Sequence, residues 1–406
     1  IETAKAKQKL EGRELTSQIA RSNSRAKHRV IGAVNGDFFS KTGVPVGAQI
    51  SDGTLVCNPF PRSVFGIGED KHPFIASISL EATLFTQRNL TRKIHRVNSN
   101  RGENELILFN KYRGQHTGTN QWGTEVIVKL STQFFVNDTI RGIVAAIDSI
   151  NGNNRIESEQ IILSGHNNAG VFLKKNIKKD DSLKVYIGLP PVKNQIQTMI
   201  GGMPRIIRDG KRSVEFSQEK ISEQFATARH PRTAVGFSED GKKIYFVTVD
   251  GRQPGYSVGM TLYELVDFLL NFGAHQAMNL DGGGSTTMVI GNKVVNRPSD
   301  SSGERPVANA LLAISTAPLG KLTYIRIEPD LISLQPGQSF KFNARGFDQF
   351  YNPMNLESGK YKWSCDQRIG SVNQQGVFTA KSTANHGYIH VSVGEIVCSA
   401  KIRIAK

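Results

Sequence analysis

From Val30 to about residue 200 the chain is a succession of short strand-like runs cut by clusters of Gly, Asn and Asp. This punctuation constrains the fold more than any other feature of the sequence. Val30–Val34, Glu105–Phe109, Glu125–Leu130, Gly142–Ala146, Gln160–Leu163 and Leu183–Gly188 are each rich in β-branched and apolar residues, and each stops at turn chemistry. The chain of 406 residues is long enough for two or three domains with a real core, and 38% hydrophobic against 21% charged residues is a globular composition. Nowhere does an apolar run reach the roughly 18–20 residues of a helical membrane span, which excludes a transmembrane enzyme of that kind.

A different texture runs from Thr198 to Ser315. Lys243–Val249 has little polar alternation, so it is expected to be a strand buried on both faces. Thr261 and Glu264 have capping-box spacing. The helix they open places Leu262, Leu265, Val266, Leu269 and Leu270 on one face, and Gly273 ends it. Ala277–Leu280 is a second short strand. The strand–helix–strand order predicts neighbouring parallel strands whose carboxyl ends carry Asp250 and Asp281. Residues 1 to about 24 are polar with Ala and Leu at loose helical spacing, and read as a surface helix. Around Ala317–Gly320 the texture changes again, to short alternating strands with turn residues every ten or so positions. Trp363, Cys365 and the Gly376–Thr379 stretch fit a small β-sandwich. The expected class is α+β: a mixed β-sheet catalytic domain over 1–317 with flanking helices, then an all-β immunoglobulin-like sandwich over 321–406.

The net charge of +16 comes from 51 Lys+Arg against 35 Asp+Glu. Residues 321–406 hold 11 basic and 6 acidic side chains, so +5 lies there and +11 before it, and the excess is not a tail effect. Such a charge suits an anionic partner or simple solubility. No zinc-finger spacing, basic amphipathic helix or aromatic-interleaved signature supports nucleic acid. The three cysteines, Cys57, Cys365 and Cys398, form no CxxC pair; Cys365 and Cys398 are either a disulfide or two free thiols. The chain begins at Ile1 without a signal peptide, as a processed or trimmed product would.

Three motifs carry candidate chemistry. Asp281 followed by Gly282, Gly283, Gly284, Ser285 and Thr286 is either a backbone nest that holds an anion under a carboxylate or a glycine-rich turn. Asp250, Gly251 and Arg252 end the preceding strand. Two carboxylates at strand ends are what acid/base or nucleophilic cleavage of a glycosidic bond needs, although one structural carboxylate bonded to amides would look the same. Arg229, His230, Pro231, Arg232 and Thr233 supply either a bidentate phosphate clamp or an arginine pair bridging surfaces. Asn35, Gly36 and Asp37 end an early strand and add a carboxylate and an amide, or only a turn. His116–Asn120 is rich in small hydrogen-bonding groups suited to sugar hydroxyls, and equally ordinary as a loop. The Pro298–Asp300 and Gly303–Pro306 stretch is a polar loop able to cover a site. No histidine pair has metal-ligand spacing on a helix.

These stretches, taken in order, resemble the phosphodiester glycosidase family. The resemblance rests on Asn35–Phe39, Gly201–Pro204 with Asp209-Gly210, Pro231–Gly236, Val249–Arg252, the Thr261–Gly273 helix, Asn279–Thr286 and Pro298–Asp300. It covers residues 30–315, and it places strand sequence before Ile1, so the first domain's edge is expected to be truncated. The last 86 residues resemble a bacterial immunoglobulin-like domain more weakly. The family resemblance implies hydrolysis of a sugar-1-phosphodiester, such as an α-N-acetylglucosamine-1-phosphate diester, at the anomeric carbon. Free sugar and a phosphomonoester would leave. The residues expected to be catalytic are Asp281, Asp250 and Arg232. Those expected to bind substrate are Asn35, Asp37, Arg229, Thr233, Gly251, Arg252 and Gly282 to Thr286. Asp37 ranks below the other two carboxylates, because eukaryotic members can carry Gly in its place.

A secreted or cell-surface protein acting on a phosphate-linked glycan or an anionic wall polymer such as teichoic acid is therefore expected, with no cofactor required. Two rivals stand beside it. One is a phosphodiesterase that cleaves the P–O bond with a divalent cation held by Asp281 and Asp250. The other is an inactive carbohydrate-binding surface protein.

Overall fold

A computed structural model describes residues 1–357, 359–381 and 386–405. The chain divides into two compact units, residues 1–24 with 32–314 and residues 25–31 with 315–406. Strands dominate both. Among the described residues the α-helices number four, of five to ten residues each, and no layer of helices flanks a sheet. The expected α+β class is thus overturned in favour of a mostly β architecture. The reason is local: only Leu262–Asn271 combines a cap with an amphipathic face long enough to pack as a helix. The polar N-terminal segment expected to be helical instead starts as a strand, Glu2–Lys5, paired antiparallel with Asn309–Leu312, and holds only a short helix, Thr16–Ser22.

The first unit contains an eight-stranded sheet that curls on itself. Its two edge strands, Thr91–Ile94 and Arg96–Val97, are consecutive in the chain with His95 alone between them. The His95 amide donates to the Leu106 carbonyl, and its Nδ1 accepts from the Leu106 amide, so the seam is bonded. Alternation along the inner strands divides two cores. Leu106, Leu108, Ile161 and Leu163 face the large one, while Ile107, Phe109 and Ile162 face a small one with Ile156. The helix Asn168–Asn176 lies on the chain between these strands and Ser182–Gly188. Its last turn holds Lys174 and Lys175.

Three five-stranded sheets complete this unit, and one of them fixes the site. Its order is Lys211–Arg212, Arg205–Arg208, Gln276–Asn279, Arg232–Phe237, Ile244–Val249. Gln276–Asn279 and Ile244–Val249 each pair antiparallel with Arg232–Phe237, from opposite sides. They run parallel to one another as expected but are not neighbours, because Arg232–Phe237 lies between them. Ile244–Val249 is an edge strand, half-buried along its length rather than buried on both faces. The helix Leu262–Asn271 buries Leu262, Leu265, Val266 and Leu269 against Ile206, Ile207, Ala234 and Ala277. Its start is a reciprocal cap: Thr261 Oγ1 accepts from the Glu264 amide, and Glu264 accepts from the Thr261 amide.

The second unit is all β over its described residues beyond 315, in sheets of three, four and three strands around Trp363, Phe342, Phe378 and Ile389. Cys365 and Cys398 are unbridged there, and Cys57 is a free, buried thiol of the first unit.

The cap sets a stability prediction. Thr261→Ala removes one partner of the reciprocal pair and is expected to cost about 1 kcal/mol, read as a lower urea midpoint for the first unit. An unchanged midpoint would show that the apolar face alone holds this helix.

Candidate active site

Because both of its neighbours run antiparallel to it, the start of Arg232–Phe237 lies beside the ends of two other strands. His230, Pro231 and Arg232 therefore stand between the Asp250 turn and the Asp281 turn. A fourth segment joins them through Asn35, which is fully buried. Asn35 Nδ2 donates to the Asp281 carbonyl at 2.6 Å, and its Oδ1 accepts from Thr233 Oγ1 at 2.7 Å and from the Thr287 amide at 3.1 Å. The Asp281 amide donates to the Gly36 carbonyl at 2.9 Å. Asn35 and Thr233, expected to touch substrate, are thus used to hold the backbone that presents Asp281.

A pocket of about 270 Å³ opens at this junction, lined by Asp281, His230, Arg232, Arg252, Arg305 and Phe225 among others. Arg232 is buried, and its guanidinium donates to three carbonyls, those of Met260, Phe225 and Ala228, with the Phe225 ring 4.8 Å from its centre. Burial, and then the neighbouring Arg252, push its pKa down to about 10. Arg252 is exposed and reaches His230 Nδ1 at 3.3 Å. Burial lowers the pKa of His230, with Arg232 and Arg252 adding to the shift. Arg305 is held by both oxygens of Asp300 at 2.7 and 2.9 Å. The sequence placed it only in a covering loop. Phe38, from the Asn35–Phe39 motif, and Phe225, which carried no signal in the sequence beyond its type, form the apolar wall.

The glycines after Asp281 act mainly through size. Gly282 to Thr286 form one tight turn whose amides are largely committed: Gly283 donates to the Pro231 carbonyl, Ser285 to Gly282, Thr286 to Gly283, and Gly282 to the Asp281 carboxylate. Gly283, at φ +59°, lies against the Arg252 guanidinium, and a Cβ on Gly284 would strike Arg305 and Asp300. Two guanidiniums can therefore lie flat on this backbone. Gly251 is packed against Gly259 and Pro231, again with no room for a side chain.

Two carboxyls are brought into electrostatic range of each other, and they are Asp281 and Asp37. Burial pushes Asp281 up to about 6, opposed by the Ser285 hydroxyl, the Gly282 amide, Arg305 and Arg252. Asp37 is fully enclosed. Its Oδ2 accepts from the Gly47 amide at 2.6 Å and lies against the bare Cα atoms of Gly47 and Gly201. Burial raises it to about 7, the Gly47 and Phe38 amides pull it back, the Asp281 charge raises it further and Arg62 lowers it.

Asp250 and Arg229 are placed elsewhere. The Asp250 carboxylate accepts from Asn296 Nδ2, the Arg297 amide and the Tyr256 hydroxyl at 2.9–3.1 Å, so it fastens the 296–297 loop rather than lining the pocket. Arg229 is paired with Glu264 and donates to the Gly259 carbonyl. Among the described residues no three His, Cys, Asp or Glu side chains converge as a metal-holding group. No helix there is long and apolar enough to cross a membrane.

The enclosed Asp37 sets a pH prediction. Its folded pKa of about 7 lies above the ordinary 3.8, so its favourable, protonated contribution is complete below about pH 4 and is lost as pH rises through 7. Asp37→Asn is expected to raise Tm at pH 8 by roughly 5 °C while changing it little at pH 4. An equal effect at both pH values would mean that the charge is not what burial opposes.

Residues 124–314 match the family described as phosphodiester glycosidase. An N-acetylglucosamine-1-phosphodiester alpha-N-acetylglucosaminidase of Bos taurus is 32% identical over 116 residues, 26% of this chain and 21% of that protein. An uncharacterized prophage-derived protein, YomE of Bacillus subtilis, is 40% identical over 83 residues, 20% of this chain and 12% of that one. The chain thus spans about a fifth or less of the length of these curated relatives. The solved structure of a hypothetical protein from Synechocystis shares the fold, with a TM-score of 0.58 at 21% identity over 77% of this chain and 56% of that one. The matched residues 124–314 carry Arg232, Arg252, Asp281 and Arg305, so it is the part of the chain holding this pocket that is similar to the phosphodiester glycosidase family.

Proposed function

We propose that the chain hydrolyses a sugar-1-phosphodiester at the anomeric carbon, releasing free sugar and leaving a phosphomonoester. One observation carries the reading: Asp281 faces a pocket rimmed by Arg232, Arg252 and Arg305. Guanidiniums are matched to a phosphodiester anion, and they gain most as negative charge collects on the departing phosphate. A leaving group stabilised in that way needs little help from an acid, so one ionised carboxylate suffices at the sugar. Asp281 in its anionic form serves the anomeric carbon. The C1–O bond to phosphate breaks, and water supplies the new C1–OH and a proton. Asp37, buried and raised into the same range, feels the Asp281 charge, so protonation of one bears on the other. His230, kept neutral by burial and then by Arg232 and Arg252, passes the proton released by water to the phosphate once it has left.

The pocket is near the small end of ligand cavities, about 300–1,000 Å³, which suits one sugar-phosphate unit at a time. The name of the bovine relative supports α-linked N-acetylglucosamine as that sugar. The basic surplus of +16 supports an anionic glycopolymer of the cell wall or surface as the source of such units.

Incubation with an α-N-acetylglucosamine-1-phosphodiester is expected to release free N-acetylglucosamine. Release of N-acetylglucosamine-1-phosphate would mean P–O cleavage and overturn the reading. Asp281→Asn should lower kcat by at least about 100-fold with substrate affinity within about tenfold. In the parent chain, kcat/KM should fall as pH drops below about 6, where Asp281 takes up its proton.

A further inference from the structure

The eight-stranded sheet carries a second pair of arginines whose chemistry the cleft does not use. Arg101 donates to Ser164 Oγ at 2.9 Å and to the carbonyl and side-chain oxygens of Asn120 at 3.0 and 2.7 Å. Arg113 donates to the carbonyls of Thr117 and Asn98 and to Asn100 Oδ1, at 3.1–3.3 Å, with its guanidinium 5.5 Å from the Phe109 ring. Each of these acceptors is a neutral oxygen. Both guanidiniums line one pocket of about 240 Å³, together with Asn100, Thr117, Thr119 and Asn120. Partial burial lowers the pKa of both, opposed only through space by Glu125 at Arg101 and Glu11 at Arg113, as expected of cations that have lost water without gaining a directly bonded anion.

The wall of this pocket is the small-polar loop that the sequence marked as suited to sugar hydroxyls. It is held rigidly. The buried Glu125 carboxylate accepts from the Thr117 and Thr119 hydroxyls and from both the amide and side chain of Asn154. Asn120 Oδ1 accepts from Arg101 and from the Trp122 amide. On the other side of the same loop a pocket of about 390 Å³ is lined by Trp122, His166, Asn167 and Lys174. Trp122 is 65% exposed, an uncommon position for so large an apolar side chain, and the buried His166 Nδ1 has no partner among the described residues. A dicationic pocket and an open indole thus stand two residues apart.

We propose that the Thr117–Gly123 loop is a second, non-catalytic binding site for a phosphate-bearing glycan, with phosphate between Arg101 and Arg113 and a sugar ring stacked on Trp122. The assignment follows from chemistry. Paired guanidiniums with neutral partners are completed by a phosphate oxyanion. An exposed indole flanked by amide, imidazole and ammonium donors fits the apolar face and hydroxyls of a sugar. The site deepens the reading of the cleft and rests on it for the kind of polymer. It would hold a chain of sugar-phosphate repeats while the cleft cuts one linkage, lowering KM for a polymer without touching kcat for a small substrate.

The test uses an oligomer of N-acetylglucosamine units joined by 1-phosphodiesters, and the full chain carrying Asp281→Asn so that the ligand survives. Trp122→Ala, at an exposed position, and Arg101→Gln, checked for an unchanged Tm, are each expected to raise Kd for the oligomer at least fivefold. Made in the otherwise parental chain, both should leave kcat/KM for a single-unit phosphodiester within twofold. The proposal is overturned if the oligomer does not bind, if Trp122→Ala binds it as tightly as its parent, or if a phosphate-free chitin oligomer binds equally well. The two readings fail separately. Loss of oligomer binding in the variants of a chain that releases no sugar leaves this site standing without the cleft chemistry. Sugar release with no effect of the loop variants leaves the cleft standing alone.

Discussion

The side-chain amide of Asn35 is the interaction on which the rest of the site depends. It is fully buried, and both ends of the amide are used: the NH₂ holds the Asp281 carbonyl, and the oxygen collects Thr233 and Thr287. Three segments far apart in sequence are thereby fixed at one point. A buried amide left half-satisfied would cost on the order of 1–3 kcal/mol, so the geometry of the Asp281 turn is coupled to the integrity of the fold. Only an amide can serve here. A carboxylate offers no donor to the Asp281 carbonyl, and an apolar side chain leaves three groups unpaired.

From that point the sheet order explains the division of labour among the acidic residues. Arg232–Phe237 lies between the other two strands, so its first residue brings a guanidinium to the place where the Asp281 turn arrives. The Asp250 turn arrives at the same end but on the edge strand. Its carboxylate turns to the 296–297 loop and is consumed by three donors. Asp37 enters from another sheet, behind Asp281, where the bare Cα atoms of Gly47 and Gly201 leave space for a carboxyl and none for water. Burial, the opposite of what a nearby cation would do, raises both carboxyls toward the neutral range, to about 7 for Asp37 and about 6 for Asp281.

Much of the strand layout was legible in the sequence because short β-branched runs between Gly, Asn and Asp clusters have few alternatives. The Thr261 cap and the Leu262–Leu269 face were equally plain. What local pattern does not encode is the order of strands in a sheet. That is why Ile244–Val249 and Gln276–Asn279 looked like neighbours, and why Asp250 looked like the partner of Asp281. The loosely helical spacing of residues 1–24 was overridden by pairing with Asn309–Leu312, a contact some 300 residues away that propensity cannot anticipate. Arg305 was visible only as a polar residue in a loop. Its place over Gly284 follows from the tertiary fold, although a run of three glycines is itself a sign that something bulky lies on the backbone.

The basic excess acquires a structural meaning from where its cations are spent. Most surface lysines face water, where charge is screened and inexpensive. Arg232, Arg101 and Arg113 differ: each has lost part of its hydration, and the bonds it makes are to carbonyl, amide or hydroxyl oxygens. Neutral acceptors satisfy the geometry of a guanidinium but not its charge, so each site retains a positive potential, which the buried Glu125 carboxylate reduces but does not bond at Arg101. Asp281 is the anion nearest that potential in the cleft, and its own burial keeps it partly protonated. Any anion placed against these arginines would draw their field toward itself and leave Asp281 less stabilised as a carboxylate, which raises its basicity.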